Sequence, residues 1–89
     1  MGVAFVDLDR VRVDTEAIVS LPGELCRRRS IVPVKRQDDW LYLALNDPQD
    51  LEAREEAGHE SGCRIIPVLA TKEAIEQTLH RYYPAKTEG

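Results

Sequence analysis

Apolar residues in this chain come in short runs separated by polar clusters, and the spacing inside each run predicts an element. Ile31-Val32-Pro33-Val34-Lys35-Arg36 and Trp40-Leu41-Tyr42-Leu43-Ala44-Leu45 read as two strands. The polar turn Gln37-Asp38-Asp39 between them suits an antiparallel hairpin. The two-residue period puts Leu41, Leu43 and Leu45 on one face of the second strand and Trp40, Tyr42 and Ala44 on the other. Apolar groups on both faces predict an interior strand covered on both sides. Pro33 has no amide to donate, so its strand belongs at an edge or is locally irregular. Cys63 to Leu69 is a third strand, placed by this pattern beside either the first or the second.

The segments between and around the strands carry helix signals. After Asn46, Asp47 is the expected cap, Pro48 the first helical residue and Asp50 an acceptor in the first turn, with the helix running to about Ser61. Gly62 then supplies a left-handed terminator. Thr71 caps a last helix reaching Tyr82 or Tyr83, in which Ile75, Leu79 and Tyr82 form a buried stripe. Pro84 ends it, and residues 84–89 read as a flexible polar tail. Before the hairpin, Val3 to Leu8 is an extended lead-in or short edge strand, and Val11 and Val13 continue it. Asp14 caps a short helix from Thr15 to Ser20, and Pro22 opens a second through Arg29 that buries Leu25 and Cys26. Strand, helix and strand from Trp40 to Leu69 form a crossover, right-handed if its strands share a sheet. The expectation is an α+β fold over residues 1–89: a hairpin 31–45 plus strand 63–69, packed with about four helices.

Composition narrows the possible roles. Eighty-nine residues hold one small domain and exclude a complete ATPase motor or transporter. Twelve basic and sixteen acidic residues give a net charge of −4, which argues against nucleic acid as a partner. The apolar runs are far below the roughly 20 residues that span a bilayer, and Asp7 interrupts the first one, so neither membrane insertion nor a signal peptide is expected. A cytoplasmic location follows as the expectation. Cys26 and Cys63 lack metal-ligand spacing, even with His59 and His80 added, and read as reduced thiols in or near the core. No metal or other cofactor is expected.

Candidate chemistry is sparse. Cys63 near His59 has the residue types of a nucleophile and base, without an evident orienting group or oxyanion turn. Glu52, Glu55, Glu56 and Glu60 fall at mostly solvent-facing spacings, and His80 reads as a surface residue. No phosphate-cradling glycine motif exists, and Lys72 alone is a weak anion signal. The most suggestive feature is Arg27-Arg28-Arg29 with Lys35 and Arg36 at the far end of the following strand. It is either a solvated helix end complementing the dipole or a docking patch for an acidic protein surface, a phosphate-bearing ligand or an anionic lipid.

Several of these pieces, in order, resemble the amino-terminal domain of type II secretion and type IV pilus assembly ATPases. They are Leu21-Pro22 with Glu24-Leu25, Ile31-Val32-Pro33-Val34, Leu43 to Pro48, Asp50-Leu51-Glu52-Ala53, Gly62, Ile65 to Ala70, and Ile75-Glu76 to Tyr82-Tyr83. Val3 to Leu8 is similar to that family's lead-in. The resemblance implies a non-catalytic adaptor that tethers a hexameric motor to the cytoplasmic face of an inner-membrane platform protein. Some members bind cyclic di-GMP through R-L-G-x-x-L repeats, a form absent from this sequence, so the resemblance brings no nucleotide ligand with it; a cyclic di-GMP sensor and a small hydrolase using Cys63 and His59 stand as the alternatives to the adaptor. Where the family helix after Asp47-Pro48 carries large apolar residues, this chain has Arg54, Ala57, His59 and Glu60. Two or three lost apolar side chains, at roughly 1.5–3 kcal/mol each, predict a helix that packs loosely, lies partly exposed or is completed by another part of a longer protein.

Overall fold

A computed structural model describes residues 5–47 and 49–83 of the chain. Strands β1 (Ile31–Gln37) and β2 (Trp40–Leu45) pair antiparallel from Ile31↔Leu45 to Gln37↔Trp40, leaving Asp38 and Asp39 as a two-residue loop. Asp38 takes φ +54°, so an aspartate fills the positive-φ position that glycine often takes. The ladder shifts register between Pro33 and Lys35, where proline leaves no donor, and β1 is an edge strand as its sequence requires. Strand β3 (Arg64–Leu69) lies parallel to β2, from Trp40↔Arg64 to Leu45↔Leu69, which gives the order β1-β2-β3.

Four helices complete the α+β architecture: α1 (Thr15–Ile18), α2 (Gly23–Arg29), α3 (Leu51–Ser61) and α4 (Lys72–Tyr82). Leu41, Leu43, Leu45, Ile31, Val32 and Ile75 form the fully buried centre, with Leu25 and Cys26 of α2 against it. Among the described residues the lead-in makes a parallel bridge, Phe5↔Leu69, supported by Val6 N–H donating to the Leu69 carbonyl at 2.7 Å. The chain then turns instead of staying extended: the Asp7 carbonyl accepts from Arg10 and Val11 amides. Asp14 N–H donates to the Val34 carbonyl at 2.8 Å and so occupies part of the outer edge of β1.

Helix ends differ from the sequence expectation in instructive ways. α1 stops at Ile18, two residues early, and Asp14 sits at its cap position without a side-chain bond. Pro22 occupies the cap position of α2, one residue before the helix begins. α3 starts at Leu51, and the cap is Asp50, whose carboxylate accepts from the Ala53 amide at 3.2 Å. Asp47 instead folds a turn of its own, accepting from Gln49 N–H at 2.9 Å, while Pro48 lies outside the described residues. Gly62 ends α3 at φ +70°, and Thr71 caps α4 through the Ala74 amide, both as expected. α3 buries only Ala53 and Ala57 and leaves Leu51 exposed, so its small residues let it lie close to β3. Residues 1–4 and the expected tail 84–89 lie outside the described residues. Among the described residues no helix is long and apolar enough to cross a membrane.

Candidate docking surface

The three arginines end α2, where side chains of the last turn fan outward from the negative helix terminus. Their partners are other elements. Glu56 of α3 accepts from Arg28 Nη2 at 2.8 Å through one carboxylate oxygen and from Arg29 Nε at 3.0 Å through the other. Arg29 Nη1 also lies 3.6 Å from Glu52. The Glu56 hydrogen bond, more than any other contact, holds the Arg29 guanidinium still more firmly protonated than usual. Arg27 Nη1 donates to the Tyr83 carbonyl at 3.1 Å, tying the end of α4 to α2.

Lys35 and Arg36 stand apart from this cluster, separated by the length of β1 from Ile31 onward, roughly 13 Å of strand. Arg36 donates to the Ser20 hydroxyl at 3.0 Å and weakly to the Asp38 carbonyl at 3.4 Å. Lys35 is exposed and sits in register with Tyr42. The five cations thus do not form one patch, and strand alternation puts Lys35 and Arg36 themselves on opposite faces of β1. Beside the arginine cluster, Arg27, Ser30, Glu76, Leu79, His80 and Tyr83 line a shallow hollow of about 210 Å³. His80 is exposed at its rim.

The structure does not bring Cys63 and His59 together as a nucleophile and base. Cys63 is buried and donates to the Ser61 carbonyl at 3.6 Å, whereas His59 lies on the exposed side of α3. Among the described residues no hydrogen bond joins the two. Burial pushes the Cys26 thiol up to about 11, with the Tyr83 side chain and Arg27 pulling weakly the other way, so it stays protonated and unreactive near neutral pH. Both cysteines are free and buried, as their spacing implied. Glu52, Glu55 and Glu60 are exposed, Glu52 still within ion-pair range of Arg29, while Glu56 is the carboxylate to which both Arg28 and Arg29 donate. Among the described residues no group of three or more His, Cys, Asp or Glu side chains could hold a metal ion.

One exposed surface escaped the sequence reading. β2 is the central strand, but the face carrying Trp40 and Tyr42 is open at the hairpin end, with Trp40 43% exposed. The two-residue alternation finds that face; only the register of all three strands shows which polar side chains join it.

Comparison with known proteins now bears on these surfaces. The MshEN domain family matches residues 1–89, the whole chain. The chain belongs to the MshEN domain family. This MshEN domain is 29% identical over 85 residues to the type IV pilus assembly ATPase PilB of Myxococcus xanthus, covering 96% of this chain and 15% of that protein. It is 30% identical over 88 residues to PilB of Thermus thermophilus, covering 93% of this chain and 10% of that protein. The chain therefore spans a small fraction of these relatives. Among solved structures, MshE with cdg superposes at a TM-score of 0.83 and 30% identity, covering 91% of this chain and 59% of that one. The amino-terminal domain of XpsE superposes at 0.79 with 20% identity, covering 92% and 58%, which bears on the fold alone. The α+β architecture of the MshEN domain is that of the MshE structure.

Proposed function

We propose that this MshEN domain is a non-catalytic docking module of a type IV pilus or secretion assembly ATPase. It would attach the motor to a cytoplasmic segment of an inner-membrane platform protein, from a cytoplasmic position peripheral to that membrane. The observation carrying this reading is the family match over residues 1–89, joined to likeness with two pilus ATPases over the same stretch. The chemistry of the side chains supports it, since both thiols are buried and His59 and His80 face solvent. The proposed contact surface is the basic cluster Arg27, Arg28 and Arg29; Lys35 and Arg36, at the far end of β1, lie outside it.

The test is capture of the purified platform segment by the wild-type domain and by an Arg27→Glu/Arg28→Glu variant shown by its melting curve to be folded. A loss of at least about tenfold in affinity, steeper at low salt, is expected for a surface whose charges face an acidic partner. Unchanged affinity in the folded variant would remove the cluster from the interface. A second reading is cyclic di-GMP binding, favoured by the MshE structure with cdg at 30% identity. Calorimetric titration of the nucleotide decides it: heat that saturates at one stoichiometry supports binding, and heats no larger than dilution exclude it.

A further inference from the structure

We propose that the open end of the sheet is a second docking surface, shaped for an amphipathic helix whose apolar stripe is flanked by carboxylates. This deepens the docking reading by naming the chemistry of a partner, and it places the contact away from the arginine cluster.

Register defines the surface. Gln37, Trp40 and Arg64 are lateral neighbours across the three strands, and Lys35, Tyr42 and Ile66 form the next row on the same face. Each of the six is exposed or half-buried. That is unlike Val32 and Ala44, which are completely buried further along the same sheet. The Arg64 guanidinium lies 5.4 Å from the centre of the Trp40 ring, as two side chains on one face should. The rows are about 7 Å apart along the strands, and the outer strands stand roughly 10 Å apart. That footprint matches one to two turns of helix laid along β2.

Composition then selects the occupant. Trp, Tyr and Arg are the side chains in which binding energy concentrates when a partner excludes water from them. The aromatic pair runs down the central strand, with Lys35 on one flank and Arg64 on the other. No carboxylate is among the six, in a chain whose net charge is −4. An apolar stripe would therefore cover Trp40 and Tyr42, and acidic residues on both sides of that stripe would meet the two cations. Asp38 and Asp39 close the hairpin end, which favours the positive amino terminus of the arriving helix there. The arginine cluster is less available by comparison, because Glu56 already takes Arg28 and Arg29.

Trp40 is the sole tryptophan, so its fluorescence reports this surface directly. The probe is a synthetic helical peptide of about 15 residues with a leucine stripe and glutamate flanks, beside a twin with lysine flanks. Expected is a saturable blue shift with the glutamate peptide, about tenfold weaker both for the lysine twin and for a Lys35→Glu/Arg64→Glu variant. That variant should in turn prefer the lysine twin. No saturable shift with the glutamate peptide, or equal affinity of wild type and variant for it, overturns the proposal. A saturable shift with single-stranded oligouridylate, where the peptide gives none, also overturns it and assigns the aromatic face to nucleic acid. Capture of the platform segment through Arg27 and Arg28 can survive either result, so failure here is separable from failure of the docking module as a whole.

Discussion

Tyr83 holds three segments together with one residue. Its hydroxyl donates to the Ile18 carbonyl at 2.6 Å and lies 3.4 Å from that of Leu21, while its own carbonyl accepts from Arg27. The sequence period nominated Tyr82 for the buried stripe, yet Tyr82 is 38% exposed. The reason is local: α4 ends at Tyr82, and Tyr83 takes φ −131° and ψ 65°, leaving helical geometry and returning its ring to α2. Helical spacing cannot anticipate a side chain placed by the residue that breaks the helix. The ring sits against Gly23, where an added Cβ would stand 2.8 Å from Tyr83 Cδ1. Alanine normally stabilises a helix relative to glycine by up to about 1 kcal/mol. Here Gly23→Ala should instead destabilise by about 1–2 kcal/mol, because the ring cannot swing away without giving up its hydroxyl bond. Urea denaturation of a double-mutant cycle measures this: in a Tyr83→Ala background the same substitution should become neutral or stabilising. An equal cost in both backgrounds would mean that the ring is not the obstacle.

Elements were legible where local chemistry and tertiary demand agree. The hairpin follows from alternation plus a polar turn, and Pro33 marked the edge strand because a missing amide cannot be compensated inside a sheet. The place of β3 was not legible, since its apolar run fits beside either strand and the pairing depends on the whole core. The start of α3 is not fixed by residue type, because Asp47-Pro48 and Asp50 both have the chemistry of a cap; only the amide that each carboxylate meets decides between them. α2 ends in a way that residue type concealed, with Ser30 in the left-handed conformation at φ 57° and ψ 55°. A serine there carries about 1 kcal/mol or more of backbone strain that glycine lacks, offset in part by glycine's freer unfolded chain. Ser30→Gly should therefore stabilise the domain by about 0.5–1 kcal/mol, seen as a higher urea midpoint with an unchanged slope. A lower midpoint would show that the serine is favoured by contacts outweighing the strain.

Across the whole molecule, charge divides into one region tied up internally and one left open, and this division was only half visible in the sequence. The run Arg27-Arg28-Arg29 is visible there, but Glu56, 28 positions beyond Arg28, has only the spacing of a solvated face. Folding brings α3 alongside the end of α2, and both oxygens of that one carboxylate are then occupied by arginine. The pair is partly exposed, with Glu56 and Arg29 side chains each about 30% accessible, so water competes with it and a stronger acidic partner can displace it. If the cluster is the docking surface, Glu56 acts as an internal stand-in for the partner's carboxylates. Glu56→Gln removes that competitor's charge without shortening the side chain, freeing Arg28 and leaving Arg29 with only the longer 3.6 Å approach to Glu52. Capture of the platform segment should then tighten by several-fold at low salt, with the advantage shrinking as salt approaches about 1 M and screening sets in. Biolayer measurements across a salt series would record both trends on one variant. A folded Glu56→Gln domain that binds no better than wild type at any salt would show that the bridge is purely structural, and docking would then have to run through the open sheet face around Trp40.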